Sequence, residues 1–187
     1  MCWLALRDRD LDSVLGELKY RRTGRHVIPA EHPVVARQDG RGWTFVIASD
    51  WEDPIVAPAS LARLSRSSDV LACQMDAPLL SCSVSAWRHG ERHWWIEHDA
   101  NRGLEHLDVG GEIPEMAEAW MVRDRPAGAA GNPDEPARRV PLRMAAAIVG
   151  LGDDALPGSG GSAAFEALVS AEDVTPACPV RPWWRVW

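Results

Sequence analysis

Residues 69–99 read DVLACQMDAPLLSCSVSAWRHGERHWWIEHD, and this stretch decides the fold. It holds three segments of strand length, DVLACQMD, LLSCSVSAW and RHWWIEHD, with the apolar and aromatic residues that favour strands. Ala77 and Pro78 join the first pair, and residues 88–91, RHGE, join the second pair through a turn with glycine. The stretch therefore predicts three consecutive antiparallel strands.

The second hairpin gathers three histidines, three tryptophans and three carboxylates within residues 85–100, which suggests a metal or catalytic centre. Alternate residues of a strand share a face. One face then carries His93, Trp95 and Glu97, and the other carries Trp94, Ile96 and His98. The Cα atoms of His93 and Glu97 would lie about 13 Å apart at 3.3 Å per residue, whereas metal ligands converge at about 2 Å. We predict a hairpin that packs its Trp94 and Ile96 face on the core, with no metal and no cofactor.

Strands and helices are also predicted on the N-terminal side of this stretch. Residues 2–7, CWLALR, and residues 43–49, WTFVIAS, have the composition of strands. The apolar residues of LDSVLGEL, residues 11–18, recur at i, i+3, i+4 and i+7, which predicts a helix with one apolar stripe. Residues 26–37, HVIPAEHPVVAR, contain two prolines, which favours a sheet edge or a loop.

Further helices are predicted on the C-terminal side. Residues 140–151, VPLRMAAAIVGL, indicate a buried helix opened by Pro141. Residues 162–172, SAAFEALVSAE, indicate a short helix. The order of elements predicts an α+β fold, in which a mainly antiparallel sheet has its helices packed on one face.

The domain organisation follows from proline and glycine content. We predict a single α+β domain over residues 1–151, which includes a flexible linker at about residues 126–138, PAGAAGNPDEPAR. Residues 152–187 are predicted to be a C-terminal extension with the short helix and an irregular, tryptophan-rich tail.

Charge is unevenly distributed along the chain, whose net charge is −7. Residues 46–125 hold seven basic and fourteen acidic side chains, whereas residues 1–45 hold eight basic and six acidic ones. An acidic middle segment repels phosphate backbones, so we expect no nucleic-acid partner. Such a segment suits a basic protein partner.

Membrane and export signals are not found in the sequence. No apolar run reaches the roughly 18 residues of a transmembrane helix, and Arg7 interrupts the N-terminal apolar run too early for a signal peptide. The cysteines Cys2, Cys73, Cys82 and Cys178 form no CxxC pair, which is typical of free thiols in a reducing compartment. We expect a cytoplasmic protein that does not bind membranes.

One loop carries the candidate binding residues. Asp50, Trp51, Glu52 and Asp53, followed by Pro54, place three carboxylates and a tryptophan at a strand end. Tryptophan is enriched at binding hot spots, and carboxylates select a basic partner. We predict that this loop binds a protein; a solvated loop with a half-buried Trp51 is the structural alternative.

Enzyme motifs are weak in this chain. Residues 150–155, GLGDDA, match a dinucleotide-binding pattern, but the prolines and glycines that follow prevent the helix that this motif must open. No GxSxG nucleophile elbow is present, and we assign no catalytic residues. An enzyme of the hydrolase class with a site near His98, Asp99 and His106 is one alternative, and a small-molecule sensor is another.

Residues 40–151 resemble a group of small bacterial cytosolic proteins. The segments that carry the resemblance are GWTFVIASDWEDPIVAPASLARLS, VLACQMDAPLLSCSVSAWRHGERHWWIEHD, HLDVGGEIP and VPLRMAAAIVGL. In that group a W-x-x-G-x-x-x-W-x-I-x-H-D hairpin, here residues 87–99, precedes a G-x-x-P turn, here residues 111–114. These proteins are similar in size and charge to immunity proteins of bacterial competition toxins. The resemblance implies a non-catalytic protein that masks a basic toxin domain.

Overall fold

Nine strands form one sheet in the part of the chain that the structure describes. A computed structural model describes residues 1–117, 119, 136–150 and 164–172. The strands are β1 (Cys2–Arg7), β2 (Tyr20–Val27), β3 (Val34–Gln38), β4 (Trp43–Ala48), β5 (Val70–Asp76), β6 (Ser81–Arg88), β7 (Glu91–His98), β8 (Asp108–Gly111) and β9 (Phe165–Ser170). Their order is β2-β9-β3-β4-β1-β5-β6-β7-β8, and each neighbouring pair is antiparallel. The predicted mainly antiparallel sheet of an α+β protein is confirmed.

Helices cover both faces of this sheet. They include α1 (Leu11–Leu18), α2 (Pro58–Leu64) and α3 (Pro136–Val149). On one face, Leu15 of α1 and Leu64 of α2 belong to one core cluster with Leu4 of β1. On the other face, Met144 of α3 belongs to a second cluster with Phe45 of β4. None of the described helices is long and apolar enough to span a bilayer.

The prediction that the helices pack on one face is therefore not confirmed. The physical reason lies in the central strands, which are apolar on both sides. Leu4 and Ala5 of β1 are adjacent, so their side chains point to opposite faces, yet each is 0% exposed. A strand of this kind needs helices on both sides to exclude water.

β9 lies where the sequence predicts a short helix. Alanine, glutamate and leucine have high helix propensity, but Phe165–Ser170 is a strand between β2 and β3. Ala167 joins the core cluster on the α3 face, and Leu168 joins the cluster under α1 and α2. The helix prediction is wrong because burial on both faces of a sheet outweighs local propensity. This part of the predicted extension, residues 152–187, thus lies in the sheet.

Two further segments differ from expectation. β3 is an interior strand between β9 and β4, because both prolines of residues 26–37 precede it and leave its N–H groups able to pair. α3 begins at Pro136, and Pro141 lies inside it. Residues 136–138 of the predicted linker are therefore helical, and the rest of the linker, like the tail from residue 173, lies outside the described residues.

The β6–β7 hairpin matches its prediction. His89 and Gly90 in the turn have φ angles of 53° and 86°, both positive as in the type I′ turn that suits a twisted hairpin. Trp94 and Ile96 are buried in the core cluster, and Glu97 on the opposite side is exposed. A packed hairpin at this position is confirmed.

Candidate functional site

One face of the sheet changes from apolar to polar along two rows of facing residues. Facing residues in antiparallel strands point to the same side. On the α1 and α2 side, the first row is Val34, Ala48, Cys2, Gln74, Ser83, Glu97 and Asp108, and the second is Ala36, Val46, Leu4, Ala72, Ser85, Trp95 and Gly110. Both rows are apolar from β3 to β1 and turn polar within β5 and β6.

The polar half of this side is exposed or half-buried in the part of the chain that the structure describes. We call it the open face and define it by Gln74, Ser83, Ser85, Trp95 and Glu97. α2 contacts the hairpin near its turn, where the Gly90 N–H donates to Ser65 Oγ at 3.2 Å. Away from the turn, Glu97 is exposed and the other four residues are half-buried.

A cleft of about 280 Å³ lies at one end of the open face. It forms where the end of β5, the start of β6 and the end of β7 meet the loop after β4. The side chains that characterise it are Trp51, Asp76, Leu79, Ser83, Glu97 and Asp99. No lysine or arginine is found among the described residues that line it, so the cleft combines an aromatic wall with carboxylates.

Trp51 is the residue of the predicted binding loop that reaches this cleft. Its side chain is 37% exposed, and its carbonyl oxygen accepts a hydrogen bond from Gln74 Nε2 at 3.0 Å. This bond connects the loop to the open face. The structure therefore brings one predicted site residue together with strand residues that sequence reasoning did not assign to the site.

The three predicted carboxylates of the loop have different roles. Asp50 Oδ1 accepts the Glu52 N–H at 3.0 Å. Asp53 Oδ1 accepts the Ile55 N–H, also at 3.0 Å. Such bonds are typical of turns that an aspartate stabilises. Glu52 is exposed, so it is the loop carboxylate best placed to meet a partner.

The cleft carboxylates differ in the hydrogen bonds that they accept. Asp99 accepts hydrogen bonds from the Asn101 N–H at 2.9 Å and from Ser81 Oγ at 3.2 Å. Because these bonds favour the charged form, they hold the pKa of Asp99 below its ordinary value. Asp76 accepts the Leu79 N–H at 3.2 Å. Glu97 forms no ion pair with any other residue that the structure describes.

The structure also brings together His98, Asp99 and His106, the residues of the enzyme alternative. The buried His98 ring donates from Nδ1 to the His106 carbonyl oxygen at 2.7 Å, and the Asp99 N–H donates to His106 Nδ1 at 3.1 Å. Each bond joins a ring to the backbone. A general base for nucleophilic catalysis would instead be hydrogen-bonded to a nucleophile. The three residues therefore fasten the loop after β7 to the end of that strand.

The other ring nitrogen of His106 faces a carboxylate that is already paired. His106 Nε2 lies 3.3 Å from Asp108 Oδ2, and Arg102 donates to the same oxygen. The Arg102 guanidinium is the main reason that the pKa of Asp108 lies below its ordinary value. Within the described ranges, no three histidine, cysteine or acidic side chains converge as metal ligands would.

The cysteines in the described residues are buried thiols. Burial raises the pKa of Cys2 to about 12, and it raises the pKa of Cys73 further above its ordinary value. Because the thiolate is the nucleophile, this burial disfavours nucleophilic chemistry at Cys2 and Cys73. Cys82 is also buried, with its backbone in β6 beside the cleft. Cys178 lies outside the described residues.

Comparison of this chain with protein-family models, with curated proteins and with solved structures finds no match. The resemblance to immunity proteins therefore stays a prediction. The cleft and the open face are the observations from which a function is proposed.

Proposed function

We propose that this protein is a non-catalytic binding module of immunity type, which neutralises a basic toxin by masking it with an acidic, aromatic surface. The observation that carries the proposal is the cleft, where Trp51 meets the carboxylates of Asp76, Glu97 and Asp99. Tryptophan provides apolar contact area, and carboxylates attract the cations of a partner. The proposal places this activity in the cytoplasm.

The charge distribution supports the same function. Glu52 and the three cleft carboxylates all lie in residues 46–125, the acidic segment of the chain. An acidic surface of this kind accelerates encounter with a basic protein, and salt weakens the effect. Association with the partner is therefore expected to be fast at low ionic strength and slower in high salt.

The direct test is recovery of a partner with the tagged full chain from an extract of the native cells. We expect one stoichiometric protein with a basic domain, whose toxic activity falls when the purified chain is added. Recovery of no stoichiometric protein, or of a protein whose activity is unchanged by the chain, would overturn the proposal.

A charge variant tests which surface is used. Glu52→Lys should slow association with the recovered partner and flatten its salt dependence. Glu91→Lys is the matched control, because Glu91 is also exposed and lies at the turn end of β7, away from the cleft. Equal association rates for the two variants would exclude the loop from the interface.

A small-molecule sensor is a second candidate, favoured by the presence of the cleft itself. Its volume lies just below the roughly 300–1,000 Å³ of most ligand pockets. A thermal-shift screen with cationic metabolites separates the two functions. A sensor should show a rise in Tm with one compound at micromolar concentration, whereas a protein-binding module should show none.

A further inference from the structure

We infer that the open face is the docking surface for an extended, arginine-bearing segment of the partner, and that one arginine enters the cleft beside Trp51. The inference rests on the proposed function. It extends the interface from the predicted loop to strands β5–β7, and it names the side chain that the cleft recognises.

The shape of the open face suits an extended segment. Ser81, Ser83 and Ser85 alternate along β6, so their short side chains point to the same side and form a low floor. Longer side chains stand on the two neighbouring strands, Gln74 on β5 and Trp95 and Glu97 on β7. Ser81 and Ser83 thus lie between larger side chains and leave a trough at the cleft end of β6. At the other end of the trough the Trp87 indole N–H donates to Ser85 Oγ at 3.0 Å.

The structure of the β8 edge favours docking of the partner segment on the open face over its addition to the sheet as a further strand. β8 has four residues and ends in Gly110 and Gly111. The Trp95 ring lies directly over Gly110, and Gly111 has a φ angle of 79°, which turns the chain away from a regular ladder. Short, irregular edges of this kind are poor templates for a further strand.

The charges of the site select a cation. Asp76, Glu97 and Asp99 border the cleft, and none of them pairs with a lysine or arginine among the described residues. The hydrogen bonds that Asp99 and Asp76 accept use Oδ1 in each case, which leaves Oδ2 of each able to accept another donor. A guanidinium presents several N–H donors in one plane and can bond two carboxylates at once.

The aromatic residues favour arginine over lysine. On the open face itself, the guanidinium of Arg92 lies over the Trp95 ring at 4.1 Å from its centroid, so this surface already carries one arginine–indole contact. Trp51 provides a second indole at the cleft. Leu79 adds an apolar wall for the methylene stem, and 280 Å³ suits one long side chain better than a drug-sized molecule.

The test is a nuclear magnetic resonance titration of the full chain with an acetylated and amidated peptide of alternating arginine and alanine. Matched peptides carry lysine or glutamate in place of arginine. We expect shifts concentrated on the amides of Gln74, Ser83 and Glu97 and on the Trp51 indole N–H. The arginine peptide should bind several-fold tighter than the lysine peptide, and the glutamate peptide should not bind.

Two variants of β7 provide the comparison. Glu97→Lys should weaken binding of the arginine peptide about tenfold, because it replaces an attraction with a repulsion. Glu91→Lys makes the same charge change on the same strand about 20 Å away at 3.3 Å per residue, and it should change the affinity less than about twofold. Both glutamates are exposed, so both variants should keep the fold, which their amide spectra would show directly.

The outcomes separate this inference from the proposed function. Shifts spread evenly over the surface, or equal effects of the two variants, would overturn the docking surface while a recovered toxin would leave the immunity function intact. Docking of the peptide at the open face without a basic protein in the pull-down would support the surface and overturn the immunity function.

Discussion

The two halves of one sheet face differ in what covers them, and their side chains differ accordingly. In the covered half, Leu4 and Val46 are 0% exposed below α1 and α2. In the open half, Ser85 and Trp95 belong to the same row and are half-buried. The other side of the sheet stays apolar under α3 as far as Ile96. The change is thus a property of one face: among the described residues, the hairpin packs one side against the α3 cluster and leaves the other side partly exposed.

The largest expected effect comes from the covered half. Leu4→Ala should lower the free energy of unfolding by about 3 kcal/mol, because it leaves a cavity among packed side chains. Ser83→Ala, in the next row of the open half, should change it by less than about 0.5 kcal/mol. Urea unfolding followed by circular dichroism measures both. Similar losses in the two variants would mean that the open face is packed as tightly as the covered one.

A pair of glutamates, one in each half of this sheet face, tests the same difference between the covered and the open half. Glu166 of β9 faces Ala36 in the covered row, and its side chain is 6% exposed. It accepts hydrogen bonds from Arg22 Nε at 2.7 Å and from the Gly24 N–H at 2.8 Å. Glu166→Gln should cost about 2 kcal/mol of stability, since it weakens a partly buried charged network.

Glu97→Gln is the control for that measurement. Glu97 is exposed in the open half, so the same chemical change should leave the free energy of unfolding within about 0.5 kcal/mol of the parent. If the two variants lost equal stability, the carboxylate of Glu97 would have a structural partner, and its availability to a guanidinium would be in doubt.

Local signals in the sequence were sufficient for the hairpin and insufficient for the site around it. The turn at His89 and Gly90 and the alternation around Trp94 involve neighbouring residues, so composition and periodicity predict them. β9 pairs with β2 across more than a hundred residues, as in Val27 with Phe165, and no local pattern encodes such a pairing. For this reason the helix-forming composition of FEALVS predicts a helix where the fold has a strand.

The candidate site was also predictable only where its signal is local in the sequence. Trp51 could be selected because an aromatic residue among carboxylates at a strand end is a recognisable pattern. Asp76 and Ser83 could not be selected, because they join Trp51 only through the register of β5 with β6 and the fold of the loop against β5. Asp50 and Asp53 carry the expected charge, but their side chains stabilise turns.

The loss of folding stability at acid pH tests the same two glutamates. The hydrogen bond from Arg22 holds the pKa of Glu166 below its ordinary value of 4.5. A carboxyl group whose folded-state pKa is lowered contributes stability that is present above the unfolded-state pKa and is lost as the pH falls through the folded-state pKa. The free energy of unfolding of the parent should therefore decline below about pH 4.5. The decline should be less steep in Glu166→Gln, and in Glu97→Gln it should be as steep as in the parent. Urea midpoints at several pH values measure this, and a parallel decline in both variants would assign the acid loss to other groups.

The smallest effect on stability is expected at Gly110, where the row that contains Ser85 and Trp95 ends in β8. A Cβ at Gly110 would overlap the Trp95 ring, so Gly110→Ala should displace the indole and cost about 1 kcal/mol. Gly16→Ala is the control, because a Cβ at that position in α1 meets no atom within 4 Å and should stabilise the helix slightly. Urea unfolding measures the cost, and the Trp95 indole N–H resonance reports the ring. An unchanged resonance together with parental stability in Gly110→Ala would show that the Trp95 ring does not rest on the glycine. The side of the open face at β7 would then be mobile, and a preformed trough along β6 would be excluded.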